Sequence, residues 1–430
     1  MAAVDELPSS SCSAVEYGGE GDPNVLIASD LPLQGASRTQ TTQINNAIRF
    51  VLDQRGWKAG DLNVAFQSCD DTTAQAGKWD SGKCSENAHS YAANPSLVAV
   101  IGTFNSGCAQ IEIPILNQAP GGGLLLLSPA NTYPCLTEAG PACKDTEPDQ
   151  YYPAGSRNYA RVAAHHAFQS AAVAEFAKDF GVTKLFILND KEAYGLGFAT
   201  QTRNAAESLG IEVVGFAAWD PKASSYKALF QEIKKLGANG VFLGGLISEN
   251  GGQVIRDKVA VLGPNVANGS EGVVLLAPDS FSTQATVDPD QGGADEAEGM
   301  FLSIAGAPLD QLGPAGQEFA KAFGEKFADK LEGNPVDPYA AYGAQTAQIV
   351  LDAIASAGGD RAGIIQAVFD TKVRDGILGT FEFNKNGDPT LAEGAVVAIS
   401  VFRATAETAL AEAASVISPS PELVDAARTA

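Results

Sequence analysis

Two apolar runs in this chain end in short stretches of small, neutral, polar residues. Leu97 to Gly102 leads into Thr103-Phe104-Asn105-Ser106-Gly107, and Leu124 to Leu127 leads into Ser128-Pro129-Ala130-Asn131-Thr132. Hydroxyls and backbone N–H groups gathered at strand ends, beside a helix N-terminus, hold a small anion without offering a formal charge. A carboxylate suits such a cradle, although loops of this composition also serve as plain turns.

Three further strand ends carry distinctive residues. Asn189-Asp190-Lys191-Glu192-Ala193-Tyr194-Gly195 presents an aromatic at a helix start, and Gly244-Gly245-Leu246 allows close approach. Ala277-Pro278-Asp279-Ser280 places one carboxylate at a strand end. Neutral donors, an aromatic and an acid are what a zwitterion requires, with uncharged donors for its carboxylate and Asp279 for its ammonium.

Catalytic readings have less to stand on. Ser106 lacks the Gly-x-Ser-x-Gly elbow, and His89, His165 and His166 all fall on predicted helices, where a packed or solvated imidazole is the ordinary case. A Ser106-dependent hydrolase is therefore the weakest reading. No phosphate-binding glycine loop follows a strand. The acidic run Asp288 to Glu298 lacks calcium-loop spacing and reads as a solvated loop. No Cys-x-x-Cys occurs, which disfavours zinc. No metal and no cofactor is expected.

Strand and helix patterns alternate almost throughout, which predicts βαβ units and parallel sheets covered on both faces. Strands are read at Val25–Ala28, Val64–Phe66, Leu97–Gly102, Leu124–Leu127, Lys184–Leu188, Glu212–Phe216, Val241–Gly245 and Gly272–Leu276. Helices are read at Thr41–Gln54, Glu86–Ala93, Ala109–Asn117, Phe198–Leu209, Tyr226–Leu236, Gln317–Lys330 and Tyr342–Ser356. Thr380–Phe383 and Ala395–Phe402 read as a hairpin-like pair. So many strands exceed one sheet and predict two α/β lobes.

With 430 residues, 45% hydrophobic and 18% charged, the chain has core enough for two or three domains. A net charge of −23 argues against nucleic acid, whose phosphates need clustered Lys and Arg. No run of about 18 or more apolar residues occurs. Met1 to Pro23 lacks the parts of a signal peptide, as expected of a mature domain. Six cysteines at irregular spacing predict disulfides and an oxidising compartment. Cys135 and Cys143 flank a short loop that a disulfide would staple, and Cys69 with Cys84 is the leading choice among the other four.

From about Asn24 to Phe402 the chain resembles the branched-chain amino-acid-binding family of ABC-transporter periplasmic binding proteins. The residues that carry the likeness are Val100-Ile101-Gly102 with Ser106, Ser128 to Thr132, Asp190 to Gly195, Gly244-Gly245 and Pro278-Asp279. Gly376 to Gly379, Phe383 and Asn386-Gly387-Asp388 extend it. The resemblance implies a type I fold of two Rossmann-like lobes joined by three crossover segments near Tyr152–Ser156, Leu302–Gly306 and Gly379–Phe381. Lobe 1 would comprise residues 24–153 with 305–378, and lobe 2 residues 154–304 with 379–403. Residues 404–430 would form a peripheral tail, a helix or a frayed end.

The likeness also implies roles. Ser106 and Thr132 hydroxyls, with the Ser106 and Ala130 backbone, would hold an α-carboxylate, and Asp279 would take the ammonium. Tyr194 would close over the ligand, with Phe104, Asn105 and Leu246 beside it. Leu246 stands where the family often has an aromatic, Asp279 where it often has Glu, and the Cys69–Cys84 region looks long for the family. The expected protein is a monomeric, extracytoplasmic receptor that passes a small aliphatic or hydrophobic amino acid to a membrane permease by hinge closure, with a lipid anchor left open. An amide, urea or aromatic-acid receptor on the same fold is the alternative.

Overall fold

The computed structural model describes residues 4–141, 143–265, 272–331, 333–391 and 398–429. Strands are numbered along the chain. β1 (Val25–Leu31), β2 (Lys58–Ala59), β3 (Leu62–Asp70), β4 (Leu97–Gly102), β5 (Leu125–Ser128) and β6 (Tyr159–Arg161) form one sheet in the order β2-β3-β1-β4-β5-β6. All its pairings are parallel except β2 with β3. β1, β4 and β5 are buried along their whole length because helices cover both faces, which is why Val25–Ala28, Leu97–Gly102 and Leu125–Leu127 read as apolar runs. Helices Arg38–Gln54 and Pro338–Ala357 pack on one face, and Ser81–Ala93 with Ser106–Asn117 on the other.

β7 (Lys184–Asn189), β8 (Glu212–Ala218), β9 (Gly240–Gly244), β10 (Val274–Ala277) and β11 (Phe301–Ala305) start a second sheet. β12 (Lys372–Gly376), β13 (Gly379–Phe383) and β14 (Pro389–Leu391) make a small antiparallel sheet. β15 (Ile399–Arg403) and β16 (Glu412–Ile417) complete the second sheet, whose order is β16-β15-β11-β10-β9-β7-β8. Its β8-β7-β9-β10-β11 portion is parallel, and β15 and β16 add antiparallel to the β11 edge.

In each sheet the strand order reverses once, between β1 and β4 and between β7 and β9. Ligands of open α/β sheets bind beyond the carboxyl ends of the strands at such points. The lobes are drawn together there: Gln40 Nε2 donates to Ser282 Oγ at 3.0 Å, and Thr283 Oγ1 to the Ala36 carbonyl at 2.7 Å.

Several boundaries differ from the sequence reading. Tyr159–Arg161 belongs to the first sheet, so the chain first passes to the second lobe after residue 161, later than Tyr152–Ser156. It returns after β11, close to the Leu302–Gly306 prediction. Phe381 and Phe383 pack into the first lobe's core, so the last passage comes after β14 rather than at Gly379–Phe381. The predicted hairpin does not form: β13 pairs with β12 and β14, while β15 pairs with β11 and β16. Residues 395–397 of that prediction lie outside the described residues. The tail is no appendage either, because β16 widens the second sheet and helix Pro421–Thr429 buries Leu423, Val424 and Ala427.

Three disulfides join Cys12–Cys69, Cys84–Cys108 and Cys135–Cys143. The stapled 135–143 loop is as predicted. Cys69 and Cys84 are not partners: an N-terminal strap pairs Cys12 with Cys69, and Cys84 on one helix meets Cys108 on the neighbouring one.

Candidate functional site

Between the two reversal points lies a narrow cleft, partly open to solvent, with room of about 30 Å³. Seven of the eight residues singled out from sequence line it: Phe104, Asn105, Ser106, Ala130, Tyr194, Leu246 and Asp279. Thr132 does not. It is wholly buried behind the cleft wall, its Oγ1 has no hydrogen-bond partner among the described residues, and its carbonyl accepts from His166 N at 3.0 Å.

The first lobe's side is a backbone-rich cradle. Helix Ser106–Asn117 starts at the cleft, so the Ser106 N–H, which has no carbonyl one turn earlier in the helix, sits at the wall. Ser128 Oγ holds the two loops together: it donates to the Thr103 carbonyl at 2.8 Å and accepts from Ala130 N at 3.1 Å and Asn131 N at 2.9 Å. Asn131 Nδ2 ties back to the Phe104 carbonyl at 2.9 Å. Ser106 Oγ accepts from the backbone N–H of Tyr133 at 3.4 Å. His166 packs among the rings of Tyr133, Tyr194 and Phe198, and neither ring nitrogen has a hydrogen-bond partner among the described residues.

The second lobe supplies the acid. Asp279 accepts from Tyr194 OH at 2.7 Å, Tyr339 OH at 2.6 Å and Gln169 Nε2 at 3.1 Å. Burial lifts its pKa above the ordinary carboxylate value, and the bonds from Tyr339, Tyr194 and Gln169 oppose that rise. A carboxylate has about four acceptor positions, so three donors leave room for one more. Tyr339 comes from the first lobe, at the start of helix Pro338–Ala357 where Asp337 caps the backbone, and its ring meets Phe104 edge-on at 5.5 Å.

Close approach at Gly244-Gly245 is used by the protein itself. A Cβ on Gly245 would lie 2.4 Å from the Trp219 ring, so glycine lets β9 end flush against it. Asp190 then accepts from Leu246 N at 2.8 Å and Glu192 N at 3.0 Å, knitting together the loops after β9 and β7.

Sequence reasoning missed Ser37, Lys78, Trp79, Ile247, Ser248 and Ser280 in the lining, and Tyr339 and Gln169 behind it. Lys78 and Trp79 stand in the stretch between Cys69 and Cys84 that looked long for its family, and that length was the available signal.

This fold, with its cleft at two facing reversal points, is that of two-lobed solute receptors. The family model described as periplasmic binding protein matches residues 32–400, and the chain belongs to that family. Among curated proteins it is similar to the Leu/Ile/Val-binding protein homolog 1 of Brucella abortus, with 24% identity over 384 residues that span 88% of this chain and 91% of the relative. Among solved structures it is similar to a leucine-binding protein of Thermotoga maritima, at TM-score 0.74 and 19% identity over 92% of this chain and 99% of the other. A solute-binding protein of an ABC transporter from Rhodopseudomonas palustris, solved with p-hydroxybenzoic acid, shares the fold at TM-score 0.71 and 15% identity, covering 93% of this chain and 98% of that one.

Proposed function

We propose that this chain is the extracytoplasmic receptor of an ABC importer and binds a small aliphatic or otherwise hydrophobic amino acid between its lobes. The observation that carries this reading is Asp279. It is a buried carboxylate held by three neutral donors, at a cleft wall facing the Ser106 helix start. An ammonium supplies both the missing donor and the counter-charge, while the ligand carboxylate takes the Ser106 hydroxyl and N–H beside the Ala130 loop, whose own N–H is held by Ser128 Oγ. Tyr194 closes over the α-carbon, and Phe104, Asn105 and Leu246 flank the side chain. Binding works by hinge closure, because ligand contacts drawn from both lobes are complete only when the lobes meet. The receptor acts as a monomer, without cofactor or chemical turnover, and hands its ligand to a membrane permease.

An aromatic-acid receptor is the second reading, favoured by the Trp79, Phe104 and Tyr194 rings in the lining. Such a ligand leaves Asp279 without a counter-charge. A thermal-shift screen of the twenty amino acids, short amides and aromatic acids separates the two. A hydrophobic amino acid at a hundredfold excess over its Kd is expected to stabilise the protein by about 2.7 kcal/mol. A screen in which only aromatic acids act transfers the chain to the second reading, and one in which only amides act overturns both.

A further inference from the structure

Among the described residues Lys78 carries the single side-chain ammonium in the cleft lining, and it arrives from an unexpected place. Residues 72–79 form a short loop closed by a bridge between Thr72 and Trp79, with Ala76 N and Gly77 N bonded to the Thr73 carbonyl. Disulfides anchor both flanks, Cys69 to Cys12 and Cys84 to Cys108. The Trp79 ring sits on Gly107, where a Cβ would lie 2.4 Å away, and it also packs against the second lobe's core cluster that contains Tyr194 and Leu246. Lys78 pairs with Glu249 of the second lobe, so the loop touches both lobes at once.

The Glu249 side is fixed in advance. The 247–251 segment kinks at Asn250, whose φ is 63°, and is pinned where Trp219 Nε1 donates to the Glu249 carbonyl at 2.7 Å. Asn250 Nδ2 bonds the Ala223 carbonyl at 2.8 Å and Tyr226 OH at 2.9 Å. The Glu249 side chain is 4% exposed and that of Lys78 29%. Burial and Glu249 push the Glu192 carboxyl up while Lys78 pulls it down, so Glu192 shares this field, and Asp190 lies in it too. When the lobes part, Lys78 leaves and Glu249 remains in the field it shares with Glu192 and Asp190.

Resting on the amino-acid reading above, we propose that the Lys78–Glu249 pair is a latch and charge filter, set by the disulfide-anchored 72–79 loop, that holds the closed state and disfavours charged ligand side chains. Lys78 repels a cationic side chain, and an anionic one must displace Glu249 to reach it. Neutral side chains lie against Trp79 and Leu246 without disturbing the pair.

The test measures release of L-leucine and binding of L-glutamate by stopped-flow tryptophan fluorescence, for wild type, Lys78→Met, Glu249→Gln and the double variant, with circular dichroism to check folding. Each single variant is expected to release leucine about tenfold faster, and the double no faster than either, since losing one partner of a desolvated pair acts on the dissociation rate. Glu249→Gln frees Lys78 and is expected to tighten glutamate about tenfold relative to leucine. Wild-type release rates in both singles, additive losses in the double, or an unchanged glutamate-to-leucine ratio would each overturn the latch. If wild type gives no leucine response, the amino-acid reading fails by itself. The latch is then judged by small-angle X-ray scattering of the unliganded proteins, where Lys78→Met must enlarge the radius of gyration and equal radii reject it.

Discussion

At the scale of single residues the cleft turns on Asp279, whose three donors come from both lobes. Asp279→Asn keeps the shape but removes the charge, so amino-acid affinity is expected to fall by about a hundredfold or more while the fold persists, read by calorimetry. The pH dependence has a definite sign. Burial raises the Asp279 pKa, an ammonium requires the ionised form, and binding therefore releases protons wherever the unliganded carboxyl still holds one. Wild-type affinity is expected to weaken as pH drops through that raised pKa, and the Asn variant should show no such limb. Asp279, Ser106 and Ala130 were legible from sequence because strand-end chemistry is local. Tyr339 was not, since its hydroxyl reaches Asp279 from 60 residues away, and no local pattern announces such a contact. Thr132 misled because it shares its loop with Ala130 while its side chain is buried behind the wall.

At the scale of elements, strands buried on both faces announced themselves as apolar runs, and the first sheet's β1, β4 and β5 emerge where they were read. What failed were elements with weak or conflicting patterns. β16 is mostly exposed, so its strand has no buried face to announce it. The C-terminal helix was among the readings of the tail but as a peripheral one, because its residues are small; it docks instead on helices His166–Asp179 and Ala193–Ser208, and Arg428 reaches Glu138 in the stapled loop of the first lobe at 3.5 Å. Leu423→Ala with Val424→Ala is expected to cost about 2–5 kcal/mol in denaturant unfolding of the second lobe, because both side chains leave a packed interface. Ligand affinity of the closed form should stay within a few-fold. An unchanged denaturation midpoint would return the tail to the peripheral role its composition suggested.

At the scale of the whole molecule, an acidic chain of net charge −23 also buries acids that it does not ionise readily. Burial raises Asp30, Asp71 and Glu112, which gather beside the Cys84–Cys108 disulfide, and lifts Asp337 to about 6 and Asp190 to about 8. A carboxyl that keeps its proton in the folded state but loses it when unfolded favours folding at low pH, and that advantage disappears as pH rises through the folded pKa. His165 and His166 act oppositely: burial lowers both, so their contribution is lost as pH falls below about 6.5. The two trends bound stability from either side, and Asp190 is the group that isolates the alkaline one, because its window runs from 3.8 to about 8. Within it, wild type should lose about 1.4 kcal/mol per pH unit more than Asp190→Asn does, one proton's worth of linkage. The measurement is the unfolding free energy of both proteins in urea between pH 5 and pH 7.5. The Asn variant starts lower, since a carboxamide oxygen serves the Leu246 and Glu192 N–H groups less well than two carboxyl oxygens. The difference in slope, not in level, carries the result, and parallel curves would mean that Asp190 is ionised in the folded protein.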